Sequence, residues 1–279
     1  MSMRERCSMA TTETEIERWP EPPTRGPDRA PVPQGSRPCG TAGRRGPRRP
    51  RSLAVRASAQ EQMDAPDLPE AAYAALLADL ARVNRWTLAA RPTLAFLRRA
   101  ARRAGRLRLL DVGFGQGDML RRIARWAARE GVPVALVGID INPRSAPVAR
   151  AATDGAHRIE YRTGAYADLA GEGWDLIVSS LVAHHMDYAE LLAFLRFMEA
   201  EARVGWLVND LHRHALPHAG FPILARAMGW HRIVREDGTL SIARAYRPAE
   251  WPPILAEAGI ADASVSRRFP FRLCVERLR

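Results

Sequence analysis

The chain has 279 residues, 47% of them hydrophobic and 26% charged, which suits one catalytic domain with a sizeable core. No apolar run approaches the ~20 residues of a membrane span, and Cys7, Cys39 and Cys274 have neither metal nor disulfide spacing, so a reduced, cytoplasmic setting is expected. The formal charge is +11 and all 42 basic residues are arginine, a pattern that reads as GC-rich coding bias more than as a demand of chemistry.

Residues 1–62 carry 12 arginines against 7 acids, punctuated by Pro and Gly in runs such as Arg44-Arg45-Gly46-Pro47. No helical or strand period survives there. A signal peptide would need an apolar core and a transit peptide few acids, yet Glu13, Glu15, Glu17 and Glu21 crowd the start. The segment is expected to be a disordered Arg/Pro-rich tail or the result of an early start, carrying no chemistry. The folded domain then runs 63–279.

From Pro69 the pattern turns helical, with Tyr73, Leu76, Leu77, Leu80 and Val83 recurring at three and four. A second helix, about Pro92 to Ala104, has proline in its first turn. Trp86 between them is expected to be packing filler. The arginines from Arg98 to Arg108 read as a solvated helix face whose cations suit the C-terminal dipole. That reading argues against nucleic acid as the partner.

Leu109-Leu110-Asp111-Val112-Gly113-Phe114-Gly115-Gln116-Gly117-Asp118 then describes a buried strand entering a glycine-rich turn that opens a helix, Met119 to Glu130. Glycines at alternate positions let the backbone turn sharply and let a ligand approach, and the helix aims its amide donors at that ligand. Twenty-three residues after Gly117, the strand Val134 to Ile139 ends in Asp140. An acid at the end of the second strand of a βαβ unit suits ribose hydroxyls. A dinucleotide fingerprint would need G-x-G-x-x-G; here the order is G-x-G-x-G.

Alternation continues through a helix at 143–152, a strand at 157–162, a buried strand Trp174 to Ser179, a helix from Tyr188 to Ala202 and a strand Val204 to Val208. The region 230–246 is polar with turn chemistry at Asp237-Gly238, and a short helix starts near Trp251 because Pro252-Pro253 would break a longer one. Strands at 260–267 and 271–278 are joined too tightly for a crossover helix, so they are antiparallel. The fold class is α/β: a doubly wound, mostly parallel sheet with an antiparallel terminal strand. Ligands belong at the carboxyl ends of its strands.

The glycine turn preceded by Asp111, with Val137-Gly138-Ile139-Asp140-Ile141-Asn142 after it, resembles the class I S-adenosylmethionine-dependent methyltransferases, over about residues 70–279. The stretch Trp174 to Asp210, with Ser179-Ser180-Leu181-Val182-Ala183-His184-His185, resembles their small-molecule branch, which modifies quinones, lipids and polyketides. The Asn/Asp-Pro-Pro-Tyr/Phe tetrad of base N-methylating enzymes is absent. The resemblance implies a Rossmann-like methyltransferase fold with S-adenosyl-L-methionine as cofactor. Residues 63–105 would be an N-terminal helical lid, 106–279 the cofactor-binding core, and about 212–247 a substrate cover. It further implies that Gly113, Phe114, Gly115 and Gly117 shape the cofactor loop, that Asp111 orients the methionine amino group, and that Asp140 with Ile141 holds the ribose side. The family's acid near adenine is missing at Thr163-Gly164-Ala165, and Asp168 is the nearest substitute.

Methyl transfer requires a nucleophile aligned with the sulfonium and, for some substrates, a base. Histidine is the natural base near neutral pH. If Ala183 to His185 is extended, His184 and His185 point opposite ways; His185 is then preferred as base, with His184, Asp210 and His212 as orienting or alternative groups. His212, His214 and His218 with the earlier pair could in principle gather a metal ion, but no regular spacing repeats and none is expected. The expected activity is O- or C-methylation of a small apolar or aromatic molecule, the oligomeric state being open. A catalytically silent cofactor-binding partner or a nicotinamide-dependent reductase is the alternative.

Overall fold

The computed structural model describes residues 53–155 and 157–279. Residues 1–52 of the expected tail lie outside the described residues. The chain forms α1 (Glu70–Trp86), α2 (Ala90–Ala104), β1 (Leu107–Val112), α3 (Asp118–Glu130), β2 (Val134–Asp140), α4 (Ser145–Ala151), β3 (Ile159–Thr163) and β4 (Trp174–Ser180). It continues with α5 (Tyr188–Glu201), β5 (Ala202–Leu211), α6 (Ala215–Ala227), α7 (Arg232–Arg244), α8 (Trp251–Glu257), β6 (Ser264–Arg268) and β7 (Arg272–Leu278). The seven strands run in the order β3-β2-β1-β4-β5-β7-β6, with β7 antiparallel to both neighbours. This is the expected α/β sheet with a reversed terminal strand.

Alternation along β1 explains why helices cover both faces. Leu107 and Leu109 face one core with Phe96, Leu97, Leu120, Ile123 and Trp126, contributed by α2 and α3. Leu110 and Val112 face the other, with Leu191, Leu195 and Met198 of α5 and Trp251 and Leu255 of α8. Successive strand residues point to opposite faces, so β1, apolar at Leu107, Leu109, Leu110 and Val112, is buried on both sides. The α5 helix starts where the sequence supplies a capping box: Asp187 Oδ1 accepts from Glu190 N and Glu190 Oε2 accepts from Asp187 N, each at 2.8 Å.

Three expectations require correction. The first is the boundary at Met63. Residues 53–62 pack against the domain: the Arg56 guanidinium donates to the carbonyls of His184 and Met186 at 2.7 Å and lies over the Tyr246 ring, and Glu61 is only 5% exposed. The second is the turn at Asp237-Gly238, which lies inside α7. Asp237 spends its carboxylate on the amides of Gln62 and Met63, and a Cβ on Gly238 would stand 2.3 Å from Phe221 Cε1. Tertiary contacts, not turn chemistry, thus chose both residues. The third concerns the helices before β1: α2 belongs to the sheet's core layer, not to a lid, while Trp86 at the end of α1 is 62% exposed.

Candidate active site

A cavity of about 1300 Å³ opens at the carboxyl ends of β1, β2, β4 and β5. The glycine turn, Asp140 and Ile141 form one end, and His184, His185 and Glu61 lie across it under α1, α6 and α7. The turn has the shape its glycines predict. Gly113, Gly115 and Gly117 all have positive φ, and a Cβ would fall 2.3 Å from Val182 Cγ2 at Gly113 and 2.5 Å from the Tyr161 hydroxyl at Gly117. Gly117 also precedes α3, whose first amides face the cavity end where Asp118 and Met119 line the wall.

Asp140 accepts from Gly115 N at 2.8 Å through Oδ2 and from Asn142 N at 2.9 Å through Oδ1. Burial raises its pKa, against the lowering effect of those two amides. Asp111 differs. It is 1% exposed, both carboxylate oxygens have no hydrogen-bond partner, and burial, then Asp118 and Asp140, push its pKa well above the ordinary range. A buried anion without donors is costly, so the site as folded is short of a cation at this point. Phe114 is buried against the Tyr161 ring, and Ile141 is 80% exposed at the cavity mouth.

Asp168 is not among the residues that line the cavity. It is exposed and accepts from Ala165 N at 3.2 Å, closing its own short 3-10 turn. Gly164, Ala165 and Tyr166 form the wall there instead.

The two histidines do not diverge as an extended segment would require. Ala183 to His185 is a 3-10 turn, so the rings lie side by side, 4.3 Å between centroids, and both line the cavity. His184 Nδ1 is 2.7 Å from Asp210 Oδ1, and His184 N donates to Asp210 Oδ2 at 2.8 Å. Asp210 is therefore the positioning partner of buried His184, not of His185. Its pKa is lowered: burial acts to raise it, and the His184 ring and amides outweigh that. His185 is partly exposed, with Nδ1 3.4 Å from Asp64 Oδ2. His212 lines a separate stretch of wall and is kept below the usual imidazole pKa by burial.

Glu61 completes the cluster. It accepts from Ser241 Oγ at 2.7 Å, and burial pushes it up to about 7. The segment Ala-Ser-Ala-Gln-Glu-Gln around it has no period and no motif, so nothing local marks it. Its partners come from the 3-10 turn after β4 and from α7, more than 120 residues away.

Residues 109–205 match the model of a family described as a methyltransferase domain. No curated protein matches the chain. Among solved structures, the plantazolicin methyltransferase BpumL, in complex with a triazolic desmethylPZN analogue and S-adenosylhomocysteine, is similar at 13% identity over 73% of this chain and 90% of its own, with a TM-score of 0.52. The plantazolicin methyltransferase BamL is similar at 13% identity over 68% of this chain and 70% of its own, TM-score 0.51. The magnesium protoporphyrin IX methyltransferase of Synechocystis PCC 6803, with S-adenosylmethionine bound, shows 17% identity over 78% and 88%, TM-score 0.48.

Proposed function

We propose that this chain, whose residues 109–205 match a methyltransferase domain, is a class I S-adenosylmethionine-dependent enzyme that methylates oxygen or carbon of a small apolar or aromatic molecule held beneath α6 and α7. The observation that carries this reading is one continuous cavity joining the glycine turn to the His184–His185 cluster, with Leu76, Leu80, Leu216, Phe221, Leu224 and Ile242 on its walls. Such a space, mostly apolar with few convergent polar groups, suits a small organic substrate.

S-adenosylmethionine supplies a methyl group already activated on its sulfonium. The residues fit this cofactor: Asp111, partnerless and buried, is matched by the donors of its amino group. Asp140, fixed by Gly115 and Asn142, is placed for the ribose hydroxyls. Phe114 and Ile141 flank the same end. At the far wall, His184, held by Asp210, and His185 face the acceptor, where a substrate proton is drawn off or its oxygen polarised. The enclosing helices exclude water and hold the acceptor in line.

The test is calorimetric titration of S-adenosylmethionine into the full chain, with NADH as control, followed by assay of S-adenosylhomocysteine release with a panel of phenols and cyclic ketones. Binding at about 1–100 μM, or ~6–8 kcal/mol, and turnover reduced about 100-fold or more by His185→Gln are expected. A folded chain that ignores S-adenosylmethionine, or binds NADH instead, overturns the reading.

A further inference from the structure

The ligating atoms of Glu61, His184 and His185 all lie within 4.8 Å of one another. His184 Nε2 is 3.7 Å from Glu61 Oε1, and His185 Nε2 is 3.8 Å from Glu61 Oε2. Both separations exceed hydrogen-bond range. The other ring nitrogens face carboxylates: His184 Nδ1 is 2.7 Å from Asp210, and His185 Nδ1 is 3.4 Å from Asp64. Two imidazoles backed by carboxylates on Nδ1, with both Nε2 atoms converging on one further carboxylate, form the arrangement by which proteins orient metal-ligating histidines.

We infer that Glu61, His184 and His185 form a divalent transition-metal site with an open position toward the cavity. Ligands about 2.0–2.1 Å from a tetrahedral ion stand roughly 3.3 Å apart, so each histidine–Glu61 separation would close by a few tenths of an ångström, and the widest pair, within 4.8 Å, by up to about 1.5 Å through side-chain rotation. Two imidazoles and a carboxylate favour zinc, cobalt, iron or manganese over magnesium, which prefers an all-oxygen shell. The frame is stiff where it needs to be. Arg244 donates from Nε to the His184 carbonyl and from Nη2 to the His185 carbonyl, each at 3.1 Å, while Arg56 donates to the His184 and Met186 carbonyls. Ser241 fixes one oxygen of Glu61. An ion at this place would present its open position to a substrate oxygen and polarise it as a Lewis acid. Metal binding needs this chain's residues alone, without cofactor; its Lewis-acid role rests on the methyl-transfer reading, and with the ion bound, polarisation of the substrate oxygen takes the place of proton removal by the two imidazoles.

The test is titration of Co²⁺ into the full chain, stripped of metal by chelator, with and without S-adenosylmethionine, followed by visible ligand-field absorption and by the bound metal-to-chain ratio. One Co²⁺ per chain is expected, with bands of a four- or five-coordinate ion. Glu61→Gln and His185→Gln should each weaken binding at least tenfold, and His212→Gln should leave it unchanged, all three checked for folding by circular dichroism and thermal melting. Absence of stoichiometric Co²⁺ and of the bands in the parent chain overturns the site. So does equal binding in the parent chain and a folded Glu61→Gln or His185→Gln variant, or loss of the metal in folded His212→Gln. S-adenosylmethionine binding in the same samples is read separately, so failure of the metal site is distinct from failure of the methyl-transfer reading.

Discussion

The backbone amide of Gly115 donates to Asp140 Oδ2 at 2.8 Å, tying the turn after β1 to the end of β2. Asp140 thereby braces the loop, and in the proposed function its carboxylate also meets the ribose hydroxyls. Asp140→Ala removes both functions. With hydrogen bonds to a charged group contributing ~1.5–3 kcal/mol, affinity for S-adenosylmethionine should fall about 10–100-fold, read by calorimetry. An unchanged affinity would remove Asp140 from the cofactor site.

In the proposed function, Asp111 couples cofactor binding to proton release. Its folded pKa is raised, so the ligand-free chain carries a penalty that begins above the unfolded carboxylate pKa and grows with pH until the folded group ionises. Neighbouring Asp118 and Asp140 add to the penalty. A cationic amino group at Asp111 lowers its pKa, so binding releases a proton and weakens on acidification. Calorimetry in buffers of different ionisation enthalpy should detect this release. Asp111→Asn should abolish both the proton release and the binding, while raising the thermal midpoint of the ligand-free chain by a few degrees.

Gly238 reverses a familiar sign. In an exposed helix interior, Gly→Ala stabilises by about 1 kcal/mol. Here the new methyl would meet the Phe221 ring at 2.3 Å, so Gly238→Ala should destabilise by ~1–3 kcal/mol, visible as a lower urea midpoint. A rise in the midpoint would show that α6 and α7 are less closely packed than described.

Arg56→Ala tests the segment before Met63. The variant loses the donors that hold the His184 and Met186 carbonyls and the cation–π contact with Tyr246. A loss of about 2 kcal/mol is expected, together with reduced turnover. Full stability and activity would show that residues 53–62 do not support the histidine turn.

What was legible in the sequence was local. The β1 turn, Asp140 and the antiparallel β6–β7 pair follow from spacing and chain connectivity within about thirty residues. An extended Ala183 to His185 would oppose the two rings, and one 3-10 turn makes them neighbours. Asp237-Gly238 carried a turn signal that its distant partners, Gln62, Met63 and Phe221, overrode. Glu61 had no signal at all, because its significance lies wholly in residues that the fold brings to it.

The strap from Arg56 to Met63 also orders events in time. Synthesis delivers it before any of its partners, and the last of those, Arg244 and Tyr246, follow some 190 residues later. Contacts of such sequence separation close late, since the loop-closure entropy must be met before they form. A nascent chain can therefore complete the βαβ half around Asp111 and Asp140 while its histidines still lack Glu61. The half around the glycine turn would mature on the ribosome before the half around the histidines does.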